Sequence, residues 1–289
     1  MEQYCAIIKC VHSFSSKKGK VYFMKVKQWL ASSLAVLMLV STVGCGDNSS
    51  SSKAESKANN SSAVVSETAM PEKDYATTTD GSAKVKIDGT KFMVGDKELW
   101  LNGVNSPWDK WNDFGGGFNF EFWQDHFQKL HDSGVNAARI WIICNGDVGM
   151  AISADGTFDG ATTAHWEDLD NLFYLAEQYQ IYIMATVQSF DNFKDQNQNY
   201  QAWRTLIQDS DKTDMFVDNY IVPLVQRYDK SDYFWSVDLC NEPDWIVENE
   251  ECGKLDWLYL EQYYAKAAAA IHANSDVLVT VGLGMIKYN

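Results

Sequence analysis

The chain is 289 residues long, 46% hydrophobic, 13% aromatic and 22% charged, which suits one large packed domain and excludes a wholly disordered polymer. Its formal charge of −15 argues against nucleic acid as a partner and fits an uncharged ligand. Six lysines and a single acid fall in the first 44 residues, so the remainder is more acidic still.

Residues 1–45 read as a signal peptide. Met24-Lys25-Val26-Lys27 is basic and residues 29–43 are apolar, but the stretch is shorter than the roughly 20 apolar residues a spanning helix needs. Met24 makes a better translation start than Met1. The leader ends Val43-Gly44-Cys45, which resembles the bacterial lipobox, with Thr42 where that motif usually has leucine. Cys45 is therefore the expected lipid attachment point, and the protein is expected outside the cytoplasm, anchored to a membrane by its N-terminal lipid; an ordinary secretory leader is the alternative. Residues 46–82, rich in Ser, Ala, Asn and Thr and without apolar periodicity, read as a flexible tether spanning on the order of 30 Å. Residues 83–289 hold the folded domain.

That domain opens on alternating residues around Gly89 and Gly95, a hairpin pattern. Five short apolar runs follow, at residues 99–105, 137–143, 181–188, 234–239 and 277–283. Helical spacing fills the gaps at 120–133, which stops at Gly134, and at 166–179, 214–228 and 255–273. Strands alternating with helices predict right-handed βαβ crossovers and an α/β fold with a parallel sheet. Gly115-Gly116-Gly117 lacks the Lys and Ser/Thr of a phosphate loop, and polar and aromatic residues crowd the strand ends, so a (β/α)8 TIM barrel is preferred to a nucleotide-binding sheet. The chain supplies about five β/α units and is read as a barrel cut short.

Cys240-Asn241-Glu242-Pro243 closes the fourth run, where a barrel opens. Pro243 blocks further sheet pairing, so Glu242 should project at the rim, and Trp245 and Phe234 offer apolar surroundings that favour its protonated form. A carboxylic acid so placed can protonate a leaving oxygen. Arg139, ending the second run, wants a carboxylate as partner. Cys144 and Cys240 both end strands, which leaves open a bridge or two small buried thiols.

The runs Trp100-Leu101-Asn102-Gly103-Val104-Asn105-Ser106-Pro107-Trp108, Gly134-Val135-Asn136-Ala137-Ala138-Arg139-Ile140-Trp141 and Leu239-Cys240-Asn241-Glu242-Pro243-Asp244-Trp245 together resemble glycoside hydrolase family 5, the cellulase and mannanase family, in order and spacing. The resemblance implies a retaining hydrolase of β-1,4-linked polysaccharide that uses no cofactor or metal. Glu242 matches the acid/base, Asn241 the neighbour that bonds the sugar 2-hydroxyl, and Arg139 the arginine that orients the nucleophile. The opening hairpin matches the plug at the bottom of the barrel. Two departures stand out. Where the family places a histidine at the end of the third strand this chain has Gln188, with Asp191 nearby, so either or neither takes that contact. The family's nucleophile is a glutamate on the seventh strand, which this chain does not reach, and Asp238, Asp244, Glu248 and Glu250 lie too near Glu242 in sequence to face it across a sugar. The chain alone is accordingly expected to be inactive.

Trp108, Trp111, Trp141, Trp203 and Trp245 fall near strand ends or loops, where indoles can stack on pyranose rings; Trp108 and Trp245 are preferred, with Asn105, Trp141 and Gln188 as further substrate contacts. Trp123, Trp166 and Trp257 lie on helical spacing and are expected in the core. His126 and His131, five apart, do not form a zinc motif, and no Gly-x-Ser-x-Gly elbow is present. The rival reading is a surface lipoprotein that binds carbohydrate without cleaving it.

Overall fold

The computed structural model describes residues 70–72 and 77–285. The leader, Cys45 and most of the expected tether lie outside them. Residues 77–82, the end of that stretch, are bonded to the body: the Thr78 N–H and hydroxyl both donate to Glu177, and the Thr79 hydroxyl donates to the Lys230 carbonyl. Threonine hydroxyls make these attachments without any apolar residue, so hydrophobic periodicity gives no sign of them.

Strands β1 (Lys86–Asp88), β2 (Lys91–Val94) and β3 (Lys97–Leu99) form the expected antiparallel hairpin, extended to three strands. The main sheet is built from β4 (Gly103–Asn105), β5 (Ala137–Trp141), β8 (Tyr182–Thr186), β9 (Phe234–Asn241) and β10 (Leu278–Gly282), with a separate small hairpin, β6 (Met150–Ile152) and β7 (Phe158–Ala161), following β5. The five main strands are all parallel and lie side by side in chain order. A doubly wound sheet reverses its order at a switch point; this one does not, and it is the wall of a β/α barrel. Phe92 of β2 meets Trp235, second residue of β9, edge to face at 5.4 Å, which sets the opening hairpin at the amino-terminal end of the wall, where a plug belongs.

The crossover helices follow their local signals. Helix α1 (Phe120–Asp132) begins where the Asn119 side chain accepts the Phe122 N–H and ends before Gly134, whose φ of 75° only glycine adopts freely. It buries Trp123 and Phe127, one turn apart. Helix α2 (Thr163–Tyr179) is capped by the Thr162 hydroxyl and stops at Gln180 in the left-handed region. The single helix expected at 214–228 is α4 (Ser210–Phe216), a π turn over Val217–Ile221 and α5 (Val222–Arg227), because Pro223 has no N–H to continue the ladder. Helices α6 (Asp244–Glu248) and α7 (Trp257–Asn274) lie between β9 and β10 in sequence, and α3 (Tyr200–Gln208) precedes α4. Trp203 lies on α3 and is fully buried against Phe158 and Phe216, so it is core rather than a sugar platform.

The glycine run has an occupant of its own. Gly115 and Gly116 N–H groups donate to Asp168 Oδ2 at 2.9 and 2.6 Å, so the loop cradles an internal carboxylate where a phosphate loop would cradle a ligand. Cys144, Cys240 and Cys252 are buried and free, and no Cys144–Cys240 bridge forms.

His165 of α2 is fully buried; its Nδ1–H donates to the Phe114 carbonyl, leaving Nε2 to accept the Tyr220 hydroxyl, each at 2.8 Å. Burial lowers its pKa to about 4. Because the folded value lies below the unfolded one, His165 contributes stability that is complete above about pH 6.5 and lost as the pH falls toward 4, worth roughly 3 kcal/mol. Urea unfolding measured from pH 7 to 4 is expected to show this loss, and His165→Gln, which can keep both hydrogen bonds, is expected to flatten it; an unchanged slope would refute the assignment.

Candidate active site

Strand pairing in register puts Asn105, Arg139, Met184 and Ser236 in one layer and Trp141, Thr186, Asp238 and Thr280 in the next. Alternation sends Ala138, Ile140, Ile183, Ala185, Val237 and Leu239 to the core under the helices, and the polar set to the concave side. A bulge matters here: Ile183 pairs with Phe234 but Met184 with Ser236, so Trp235 is the extra residue and the strand beyond it turns Ser236 and Asp238 inward.

Arg139 is the hub. Its Nε and Nη2 donate to Asp238 Oδ2 at 2.9 and 2.5 Å, Nη2 also to Asn241 Oδ1 at 3.0 Å, and Nη1 to Asn105 Oδ1 at 3.3 Å. Asp238 is fully buried and accepts the Thr186 hydroxyl as well. Burial pushes its carboxyl up, while the guanidinium and the hydroxyl pull it down. The carboxylate that Arg139 was expected to find is thus Asp238, which sequence reading treated only as a failed nucleophile. The two residues are 99 positions apart, and only the strand register brings them together.

Glu242 follows β9 directly and sits half-buried with φ 49°, in the left-handed region, its N–H donating to the Gly282 carbonyl at 2.7 Å. The next residues form α6, which carries Trp245, 39% exposed, with its ring 6.2 Å from Phe190. Phe234 is not a neighbour of Glu242. It starts β9, seven residues before Asn241 and roughly 23 Å away at about 3.3 Å per residue, and it is fully buried against Phe173 and Tyr228.

Gln188 lies two residues past the end of β8, the third strand of the wall. It is buried; its carbonyl accepts the Asn241 N–H at 2.8 Å, and its amide Nε2 has no hydrogen-bond partner among the described residues. Asp191 is committed to the Ser189 hydroxyl at 2.7 Å and to Lys194 at 2.8 Å, so of the two alternatives Gln188 is the one with capacity to spare.

On the β4 and β5 side, Trp108 meets Trp111 at 4.8 Å and Trp141 at 5.0 Å, all near edge to face. Trp141 is buried and lies under the Arg139 guanidinium at 5.7 Å, whereas Trp111 is 41% exposed and offers the open ring. Asp113 holds this turn, accepting the Asp109 and Lys110 N–H groups at 2.6 and 2.7 Å; burial pushes its carboxyl up. Among the described residues no three His, Cys, Asp or Glu side chains gather to hold a metal ion. His126 bonds the Ser106 hydroxyl and His131 the Tyr179 carbonyl.

No family model matches the chain. It is 26% identical over 170 residues to a mannan endo-1,4-β-mannosidase of Cryptopygus antarcticus, covering 57% of this chain and 43% of that protein, and 27% identical over 148 residues to mannan endo-1,4-β-mannosidase 4 of Solanum lycopersicum, covering 51% and 35%. The crystal structure of a β-1,4-D-mannanase from Cryptopygus antarcticus superposes with a TM-score of 0.60 at 23% identity, over 69% of this chain and 61% of that one. The chain thus spans less than half the length of these sequence relatives. In sequence it is a relative of the endo-1,4-β-mannosidases and in fold it shares their β/α barrel, which bears out the resemblance to the cellulase and mannanase family.

Proposed function

We propose that the chain carries the proton-donating half of a retaining endo-β-1,4-glycanase, with mannan as the first substrate to try because the relatives are mannosidases. The observation that carries this is the convergence at one strand end of Glu242 with the Arg139–Asn241–Asp238 network. Protonated Glu242 gives its proton to the glycosidic oxygen as the bond to the anomeric carbon breaks; a carboxylate on the far wall of the barrel attacks that carbon, and Glu242 then takes a proton from the water that releases the sugar. Asn241 accepts from Arg139 through its oxygen, which turns its amide nitrogen away from the guanidinium as the donor for the sugar 2-hydroxyl. Of the five Arg139 N–H groups, four are used within the described residues, and one on Nη1 remains for the far carboxylate. On this proposal Gln188 Nε2, unpartnered among the described residues, is a further hydrogen-bond donor to the sugar, and the exposed rings of Trp111 and Trp245 are stacking surfaces. In this reading the leader ending at Cys45 makes the enzyme a surface lipoprotein, a placement supported by sequence alone.

Expressing the whole reading frame that contains this chain tests the proposal. It is expected to release reducing sugar from galactomannan or glucomannan, or failing those from carboxymethylcellulose. Glu242→Ala is expected to cost about 10²- to 10⁴-fold in kcat. A folded product that binds these polymers and cleaves none would establish the carbohydrate-binding rival instead.

The left-handed backbone at Glu242 generates a second expectation. Side chains with a Cβ pay about 1 kcal/mol there, and glycine does not. Glu242→Gly is therefore expected to be about 1 kcal/mol more stable than Glu242→Ala in urea unfolding, both being inactive; equal stabilities would show that Glu242 is not held in this conformation.

A further inference from the structure

Two glycines at the end of β10, Gly282 and Gly284, are not explained by backbone conformation, since neither lies in the left-handed region where glycine is needed. Both are explained by their neighbours. A Cβ on Gly282 would stand 3.1 Å from Arg139 Nη2, 3.1 Å from Asp238 Oδ2 and 3.3 Å from the Cys240 carbonyl oxygen. A Cβ on Gly284 would stand 3.1 Å from both Cγ and Oε1 of Glu242 and 3.3 Å from Asp244 Oδ2. Ordinary contact for such a carbon begins near 3.4 Å. The same segment is tied down by its backbone: the Gly282 carbonyl receives the Glu242 N–H, and the Gly284 N–H donates to Asp244 Oδ1, each at 2.7 Å. Asp244 is fully buried, and its other oxygen has no hydrogen-bond partner among the described residues.

We propose that Gly282 and Gly284 are positioning residues of the active site: the side chains they lack are the room in which the Arg139 guanidinium and the Glu242 carboxyl stand, and the Gly284–Asp244 bond keeps that room open. The proposal rests on the reading of Glu242 as the acid. The two positions differ in what would have to yield. Around Gly282 it is the Arg139–Asp238 ion pair and a backbone carbonyl, which can give only by loosening the hub or shifting the strand, so a methyl there is expected to cost stability. Around Gly284 it is mainly the carboxyl end of a flexible side chain, which can shift a few tenths of an ångström at little cost to stability. Proton transfer is less tolerant, since misplacing a reacting group by about 1 Å costs on the order of 10²-fold. Gly284→Ala should therefore fold well and protonate badly.

The test uses two substrates of the full-length protein. Mannohexaose needs its leaving oxygen protonated; 2,4-dinitrophenyl β-mannobioside does not, because dinitrophenolate leaves unaided. Gly284→Ala is expected to lower kcat/KM on mannohexaose about threefold to tenfold and on the dinitrophenyl glycoside less than about twofold, with the urea midpoint unchanged. Equal losses on both substrates, no loss on mannohexaose, or a variant that fails to fold would each overturn the proposal. Glu242→Ala run alongside separates the two layers of inference. If its loss in kcat/KM, which reports only the steps up to departure of the leaving group, is not confined to mannohexaose, the assignment of Glu242 as acid falls; if that loss is so confined and that of Gly284→Ala is not, only the glycines are misread.

Discussion

The ion pair between Arg139 and Asp238 is the constraint on which the concave face depends. A fully buried carboxylate costs several kcal/mol in lost hydration unless something replaces the water, and here a guanidinium and a threonine hydroxyl do so. Through Asn105, Thr186 and Asn241 the pair reaches four adjacent strands, so one charge-assisted cluster fixes the relative height of β4, β5, β8 and β9. Removing either partner would leave an uncompensated charge in the wall. The cluster that orients the chemistry is thereby also part of what holds the strands in register.

Departures from local rules gather at the same rim. Asn112, Cys144 and Glu242 all have positive φ and lie in the loops that follow β4, β5 and β9, the last two within three residues of the strand. The Gly282 and Gly284 positions give up side-chain packing for space. Away from the rim, Gln180 at the end of α2 also has positive φ, but the outward faces of the strands and the buried face of α1 are ordinary apolar packing. A protein tolerates such departures where a geometry is imposed from outside the local sequence, and here the imposing elements are the ion-pair hub and the β10 backbone.

The contrast explains what could be read from the sequence. The barrel strands were legible because one face of each is apolar and because Gly134 and similar stops separate them from the helices. The choice of barrel over doubly wound sheet was reached through Gly115-Gly116-Gly117, which lacks the Lys and Ser/Thr of a phosphate loop, and through the polar and aromatic residues at the strand ends; the order of the strands came only with the structure. What stayed hidden depends on register or on polar packing. Asp238 looks like an isolated acid in an apolar run until the bulge at Trp235 is known, since a shift of one residue decides which face it takes. Phe234, close to Glu242 in sequence, is distant because an extended strand separates neighbours at about 3.3 Å per residue. The β6–β7 hairpin went unread because Asp159 and Gly160 interrupt any alternation in β7. Trp203 looked like a loop residue because the helix around it is only nine residues long.

In the proposed reaction, the division of labour follows from the geometry of a cylinder. Retention requires two carboxyl groups about 5–5.5 Å apart on opposite sides of the sugar, and strands adjacent in a sheet cannot supply both, because their ends lie on the same wall. Asp238 illustrates the limit: it lies on β9, four residues before Glu242, and its Oδ2 is already paired with Arg139. The described wall therefore provides the proton, the hydrogen bond to the sugar and the guanidinium, and the attacking carboxylate has to stand on strands facing it. An arginine with four N–H groups bound within its own wall and one left over is the arrangement that such an opposing carboxylate would meet, which makes Arg139 the point where the two halves of the reaction join.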